Sequence, residues 1–461
     1  MRRSRASAAT GPWSARAAVA AEGAAAAVDV AGDAGASDGG MTAGVVRPDL
    51  GFQRTTLPNG LTVLSEYMPG VRSVSFGAWV RAASVHEPRD RMGVSHLLEH
   101  MVFKGTRSRS AREIALSLEV LGGSLDAYTA REHTSYQARV LDEHLPQAAD
   151  VIGDLVFQPL LRAEDLRLER KVVLEEIGMV EDTPDDLVFE LHNEAMWGSH
   201  PYGYSILGTR ETVSSLGVRE LRELHSRAYH PPQVVVAAAG NVDHDRLLEI
   251  LEQTGWATVA RGDAAPLETP ALVPAPPSER HVPREGAQTH IVFGSPTVAH
   301  SDPRRYAVVL VDTVLGGGMS SRLFQRVREE LGLAYSVYSF QNFHPETGSH
   351  GVYVGTAPET AVEARAAIFD ELARLTADSL TPGEIAEGKS QLKGQVTLSL
   401  ESPSSRMYRA AGVALYDEPF RSLDDVLALI DAITPESVAE VSRAYFEPDR
   451  QTVLALGDGD W

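Results

Sequence analysis

Cysteine is absent from the 461 residues of this chain, so neither disulfide bonds nor thiolate metal ligands are possible. A metal site here has to be built from His, Asp or Glu side chains, which suit Zn²⁺ and other divalent ions. Positive charge is also scarce, because 42 Lys and Arg stand against 63 Asp and Glu, for a formal net charge of -21. This balance argues against nucleic acids and anionic membranes as partners.

Long apolar runs are missing as well. No stretch approaches the roughly 18 consecutive apolar residues of a transmembrane helix. The apolar fraction of 43% is nevertheless ample for two or three domain cores. The lack of cysteine fits a reducing compartment. Together these features predict a cytoplasmic protein with no membrane partner.

The first 46 residues differ in composition from the rest. The segment MRRSRASAATGPWSARAAVAAEGAAAA is rich in Arg and Ala and faintly resembles an organelle transit peptide. Three acidic residues (Asp29, Asp33 and Asp38) interrupt that pattern. We therefore expect residues 1–46 to be a disordered or non-native extension, with Met41 as a possible true start. The mitochondrial matrix is kept as the minor alternative location.

The remainder looks like two copies of one unit. The motif SRAY occurs at 226–229 and again at 442–445, an offset of 216, and Glu164 aligns with Glu384 at an offset of 220. Near-equal offsets at two places indicate a tandem duplication. Each copy mixes strand and helix patterns with antiparallel signals. The predicted fold class is therefore α+β, with two homologous domains that each pack a mainly antiparallel sheet against helices.

A Pro-rich stretch without periodicity separates the two copies and is the best linker in the chain. The predicted units are a metal-binding domain at 47–262, a linker at 263–284 and a second domain at 285–461. The second copy of the segment around residue 96 should lie near residue 312, where the sequence has no His. We therefore expect the second domain to lack metal ligands.

The stretch GVSHLLEHMVFKGT, residues 93–106, contains the strongest chemical pattern. On a helix His96 and His100 stand one turn apart on one face, where two neutral imidazoles can hold one divalent ion. Glu99 lies on the same side and is better placed to act as a general base than as a ligand. The alternative is an exposed helix with scattered His, but the flanking apolar residues favour a buried site.

A catalytic zinc also needs a third protein ligand and an open position. Glu169 and Glu176 lie seven residues apart on one face of the next long helix, whereas Glu175 points about 100° away. An apolar stripe on that helix is expected to pack inward and to bring Glu176 near the buried side: Val172, Val173, Ile177 and Val180. Spacing alone leaves a ligand and a solvated acid equally open for Glu176.

HLLEH followed 76 residues later by a Glu within ERKVVLEEI resembles the pitrilysin/insulinase family of zinc peptidases. The likeness is to subunits of mitochondrial processing peptidase and their bacterial relatives. It implies that His96, His100 and Glu176 bind one Zn²⁺ per chain and that Glu99 is the general base. It also implies that Glu169 orients a ligating His.

The same resemblance implies substrate contacts. LDAYTAREHTSY matches the family's edge strand, which binds the substrate as an added strand through backbone groups such as those of Ala127. Asp126 stands where the family commonly has Asn, so the chain departs from the family pattern at this side-chain contact, whereas Ala127 can still use its backbone. Arg328 and Tyr335 match a pair that reaches into the active chamber. Without the resemblance, they would be interpreted as a surface charge and a core aromatic.

Two further acids leave both interpretations open. Asp186 and Glu190 fall where the processing peptidase keeps acidic residues for a basic substrate side chain. They also fit an acidic helix start that is favoured by the helix macrodipole.

The resemblance implies a zinc-dependent endopeptidase acting on extended or unfolded peptides. The family's chamber is built from four domains, so we expect two chains, in a homodimer, to form it. The alternative is a non-catalytic binding or scaffolding subunit of a peptidase-like complex.

Overall fold

The computed structural model describes residues 51–262 and 267–459. The predictions made for the 1–46 extension lie outside the described residues. In the described ranges, no helix is long and apolar enough to cross a membrane.

A six-stranded sheet organises the first half of the chain. Its strands are β1 (Phe52–Thr56), β2 (Thr62–Tyr67), β3 (Ser73–Val80), β4 (Ser124–Thr129), β5 (Thr134–Leu141) and β6 (Val234–Gly240). They lie in the order β1-β2-β6-β3-β5-β4, and neighbours are antiparallel except for β2 and β6. The helices are α1 (Val94–Val102), α2 (Ala111–Glu119), α3 (Leu145–Phe157), α4 (Ala163–Asp182), α5 (Pro184–Trp197), α6 (Arg210–Ser215), α7 (Val218–Ala228) and α8 (His244–Gln253).

A five-stranded sheet organises the second half. Its strands are β7 (Glu279–Pro283), β8 (Thr289–Thr297), β9 (Ala334–Phe343), β10 (Gly348–Thr356) and β11 (Thr452–Gly457). They lie in the order β7-β11-β8-β10-β9, and only β7 and β11 are parallel neighbours in this sheet. The helices are α9 (Arg305–Gly316), α10 (Ala361–Asp378), α11 (Pro382–Ser399), α12 (Pro403–Leu415), α13 (Leu423–Asp431) and α14 (Pro435–Tyr445), with a π-helix at Phe324–Glu330.

The two sheets have the same topology. Without β1, the first sheet is ordered β2-β6-β3-β5-β4, and replacing each strand by its counterpart gives the order of the second sheet. The buried positions of α4 and α11 coincide at an offset of 219, one less than the 220 predicted from Glu164 and Glu384. The predicted α+β duplication of two mainly antiparallel domains is confirmed.

The predicted linker at 263–284 ends in regular structure. Its last residues include β7, which pairs with β11 at the edge of the second sheet. Between Val259 and Ser278, the described residues contain neither helix nor strand. The domain bounds themselves stay a prediction.

Each half contributes a helix that covers the sheet of the other half. Helix α5 packs on β8 and β11, and α12 packs on β2, β3 and β6. Strand β6 reads VVVAAAG because both of its faces are buried. Val236 and Ala238 face the helices of the first half, whereas Val235 and Ala237 contact α12 around Met407. Separating the halves would therefore expose apolar surface on both sheets.

Truncation of Met407 tests the packing of α12 on the sheet of the first half. Met407 is 1% exposed between α12 and the first sheet. Met407→Ala should lower the free energy of unfolding by about 2–5 kcal/mol, because a buried side chain leaves a cavity. The control is Met319, which is 75% exposed. Met319→Ala should change the free energy of unfolding by less than about 0.5 kcal/mol. Urea unfolding followed by tryptophan fluorescence measures both, and equal effects would contradict the packing.

Candidate metal centre

Helix α1 is held at its N-terminus by a buried carboxylate. Glu87 accepts hydrogen bonds from the backbone N–H groups of Gly93 and Ser95, both at 2.7 Å. Gly93 has a φ of 86°, and a Cβ there would lie 2.5 Å from the carbonyl oxygen of Leu207. Only glycine fits this turn, so the sequence GVSH sets where the helix begins and where His96 points.

Three side chains from α1 and α4 meet at one point. His96, His100 and Glu176 each offer a ligand atom, and these atoms lie within 4.8 Å of one another. Glu176 Oε2 is 3.6 Å from His100 Nε2 and 3.8 Å from His96 Nε2. In the described part of the chain, this is the only group of three such residues close enough to hold a metal ion.

The geometry fits a divalent metal better than direct pairing. Separations of 3.6 and 3.8 Å are too long for hydrogen bonds. They are close to the roughly 3.4 Å expected between two ligands of one tetrahedral Zn²⁺. Glu176 Oε2 is buried and has no hydrogen-bond partner. Burial lowers the pKa of His96 well below its ordinary value, which leaves a neutral imidazole able to bind a cation.

Glu169 lies behind His100 and fixes its ring. Glu169 Oε1 is 3.0 Å from His100 Nδ1, so Nε2 is the nitrogen that faces Glu176. Lys104 Nζ lies 2.7 Å from the other oxygen of Glu169. Burial acts to raise the pKa of Glu169, but His100 and Lys104 outweigh it and the pKa is lowered. Lys104 was missed by the sequence analysis, although it follows His100 by four residues.

Glu99 is buried beside the three residues without joining them. Its carboxylate accepts a 2.6 Å hydrogen bond from Thr129 Oγ1 at the end of β4. Burial raises the pKa of Glu99, while nearby His100 acts in the opposite direction. Thr129 was also missed by the sequence analysis. The only available signal was its position in the predicted edge strand.

Strand β4 forms one edge of the first sheet and packs against α1. Asp126 and Ala127 pair with Gln137 and Tyr136 of β5. Among the described residues no other strand pairs with β4. Its free edge is therefore available for an added strand close to Glu99.

Arg328 and Tyr335 lie together in the second half. The Arg328 guanidinium stacks 4.5 Å from the centre of the Tyr335 ring, and its Nη1 donates to the Tyr335 carbonyl at 3.2 Å. Tyr335 is 75% exposed, so it is not a core aromatic. Among the described residues, no hydrogen bond, ion pair or ring contact joins this pair to His96, His100 or Glu176.

Asp186 and Glu190 are half-buried on α5 and lie outside the metal cluster. Burial raises the pKa of Glu190, although the charge of Arg131 and a hydrogen bond from Ser205 act to lower it. The charge of Asp186 raises it further, so the two acids interact with each other. The positive charge of Arg131, in the same chain, therefore already acts on Glu190.

Comparison with known proteins identifies the family. The model described as "Insulinase (Peptidase family M16)" matches residues 62–210, and that described as "Peptidase M16 inactive domain" matches residues 215–392. A Streptomyces coelicolor protein named an uncharacterized zinc protease is 40% identical over 402 residues, which cover 85% of this chain and 86% of that protein. A Bacillus subtilis protein of the same description is 38% identical over 89% of this chain and 99% of its own length.

Solved structures share the fold. A structure described as the peptidase M16 inactive domain of Pseudomonas fluorescens superposes with a TM-score of 0.83 at 21% identity, covering 89% of this chain and 98% of that one. A protease from Helicobacter pylori superposes with a TM-score of 0.83 at 20% identity, covering 88% of this chain and 99% of that one.

The chain belongs to the insulinase family of peptidases, peptidase family M16. The relatives named here are bacterial and give no support to a mitochondrial location.

Two neighbouring glutamates on α4 offer a matched test of the metal cluster. Glu176→Gln should weaken zinc binding by at least the roughly 10–100-fold that loss of a supporting residue costs. Glu175 is exposed and points about 100° away, so Glu175→Gln should be silent. Competition of each purified protein with a zinc-binding dye measures the affinities. Release of metal by the Glu175 change alone would mean that the helix is rotated from the position described.

Proposed function

We propose that the protein is a zinc-dependent endopeptidase that hydrolyses extended or unfolded peptides. The observation that carries the proposal is a buried acid, Glu99, placed beside a cluster of two His and one Glu with metal-ligand separations. Family membership and relatives named zinc proteases support the same reaction class. A non-catalytic subunit would have no need of Glu99 in addition to three ligands.

In this proposal His96, His100 and Glu176 hold one zinc ion, with Glu169 and Lys104 fixing His100 from behind. A bound zinc ion would supply Lewis acidity toward the scissile carbonyl and the attacking water. The remaining work falls to side chains of the protein. The contact between Glu169 and His100 Nδ1 fixes the orientation of the His100 ring, so that the Nε2 lone pair points at the metal site.

Glu99 acts as the general base and then as the acid. It takes a proton from the attacking water and returns it to the leaving amine. Its hydrogen bond from Thr129 occupies one carboxylate oxygen and leaves the other for this proton. Since Thr129 ends β4, the strand that would bind the substrate also orients the base.

The substrate would lie along the free edge of β4 as an added strand. Backbone groups near Ala127 would bind the peptide backbone, so side-chain sequence would contribute little to this part of recognition. Only an unfolded or extended segment can present its backbone in this way. Asp186 and Glu190 would form a subsite for a basic side chain, at which the charge of Arg131 already acts on Glu190.

Two chains would close the reaction chamber as a homodimer. Arg328 and Tyr335 support this part of the proposal, because they are paired and Tyr335 is exposed. An arginine and a phenol of this kind can stabilise the oxyanion and hold a peptide carbonyl. In the proposed arrangement they reach the zinc site of the partner subunit.

The role of Glu99 predicts a separation of binding from turnover. Glu99→Gln keeps the shape of the side chain but cannot accept a proton, so kcat should fall by about 10²–10⁴-fold. Zinc content should stay at one ion per chain. Quenched-fluorescence peptides and metal analysis measure the two quantities. Turnover close to that of an active parent would refute the role assigned to Glu99, whereas a zinc-containing parent that cleaves no peptide would favour the non-catalytic alternative.

Subunit mixing tests the proposed chamber. Glu99→Gln and Tyr335→Phe proteins should each be impaired, yet a mixed dimer has one zinc site with an intact Glu99 and an intact Tyr335 from its partner. Random exchange makes half the dimers mixed, so about a quarter of parental activity should return. If Tyr335 served its own chain, no mixed dimer would contain a complete site, and mixing would restore nothing.

A further inference from the structure

Helix α4 carries an exposed apolar stripe beside the metal cluster. Leu168, Val172 and Met179 are 53%, 44% and 52% exposed. The sequence analysis placed Val172 among the inward-facing residues, but the face that packs inward consists of Leu166, Glu169, Val173 and Ile177. We call Leu168, Val172 and Met179 the α4 stripe.

The stripe adjoins Glu176 on the helix surface. Val172 precedes Glu176 by one turn and Met179 follows it by three residues, which makes both immediate neighbours of the ligand. At 100° per residue, the three stripe residues lie within about 80° of Glu176 around the axis. The exposed charged residues of α4 lie about 100–180° away: Glu164, Arg167, Lys171, Glu175, Glu181 and Asp182. The exposed large apolar residues of α4 therefore all lie on the side of the helix that carries Glu176.

The duplicated helix provides an internal comparison. At the offset of 219 set by the buried faces, Glu176 corresponds to Gln395, which is not a metal ligand. Leu168 and Val172 correspond to Glu387 and Gln391, and only Met179 has an apolar counterpart, Leu398. The half without the metal cluster thus has polar residues at two of the three stripe positions.

We propose that the α4 stripe is a substrate subsite that binds apolar peptide side chains next to the scissile bond. This inference rests on the proposed peptidase function. A peptide whose carbonyl reaches the metal cluster must pass over the surface around it, and the α4 stripe is the apolar part of that surface on the Glu176 side. Burying an apolar side chain there removes water from both partners.

The dimensions of the stripe suit an extended peptide. Leu168 and Val172 are separated by about 6 Å along the axis, close to the roughly 6.6–6.8 Å between alternate residues of a strand. The whole stripe spans about 16 Å, or about five extended residues. The subsite should therefore select apolar residues at one or two alternate positions on one side of the cleavage point.

The test compares a double variant, Val172→Glu with Met179→Glu, with the parent enzyme. Substrates are quenched peptides that differ only in having Leu, Ala or Lys at one position within three residues of the cleaved bond. The parent should prefer Leu over Ala by at least about tenfold in kcat/KM at one position. The double variant should lose that preference and accept Lys. The matched control Leu398→Glu, at the counterpart of Met179, should keep the parental preference.

Binding to the Glu99→Gln protein separates this inference from the proposed function. If the parent cleaves no peptide, the peptidase proposal fails, yet fluorescence anisotropy with labelled Leu and Ala peptides still decides the subsite. The Leu preference should appear in Glu99→Gln and vanish when the two stripe changes are added. Should the Glu changes prevent folding, Val172→Ser with Met179→Ser replaces them.

Two outcomes would overturn the subsite. One is an unchanged Leu-to-Ala ratio in folded, zinc-containing stripe variants. The other is dissociation of a parental dimer on sedimentation of the stripe variants, which would make the stripe a contact with a second copy of this chain.

Discussion

The contact between α1 and α4 is the interaction on which the candidate site depends. Two imidazoles and three carboxylates are brought from these helices into a largely buried space. Each group alone would be costly to bury, since charged and polar groups lose their water there. Part of this cost is offset within the group, because Glu169 pairs with His100. Glu176 Oε2 lies too far from both His rings for a hydrogen bond. The remaining unpaired oxygen is the one a divalent cation would satisfy.

The second half supports this contact although it supplies none of the three ligand residues. Its α12 covers the face of the first sheet opposite to the one that packs against the helices of the first half. In return α5, which directly follows the ligand-bearing α4, covers the second sheet. A second link joins the turn after β4 to the other half, since Glu132 lies 2.7 Å from His344 Nδ1. The strand that would bind the substrate is therefore held from both halves.

Local periodicity was sufficient to predict the helices α1 and α4 and the shared face of His96 and His100, because these features depend on spacing within one element. The duplication was predicted from two repeated motifs at nearly equal offsets. The place of Glu176 in the same site was implied only by the resemblance to the peptidase family. Thr129 and Lys104 could not be found in this way, because their contacts depend on how separate segments meet. The inward placement of Val172 failed for a related reason. An apolar side chain shows that burial is favourable, but not which face of a helix a neighbour will cover.

The two halves show how one fold supports a site in one copy and a closed core in the other. In the second copy α9 takes the place of α1 and contains no His. The counterpart of Glu169 is Gly388 on α11. A Cβ added to Gly388 would lie 2.7 Å from Leu310 and 2.8 Å from Val314 of α9. The second helix pair thus approaches too closely to admit a carboxylate side chain at position 388, where Leu310 and Val314 fill the space. The space for polar chemistry in the first half therefore exists because α1 and α4 meet through His and Glu instead of through Leu and Gly.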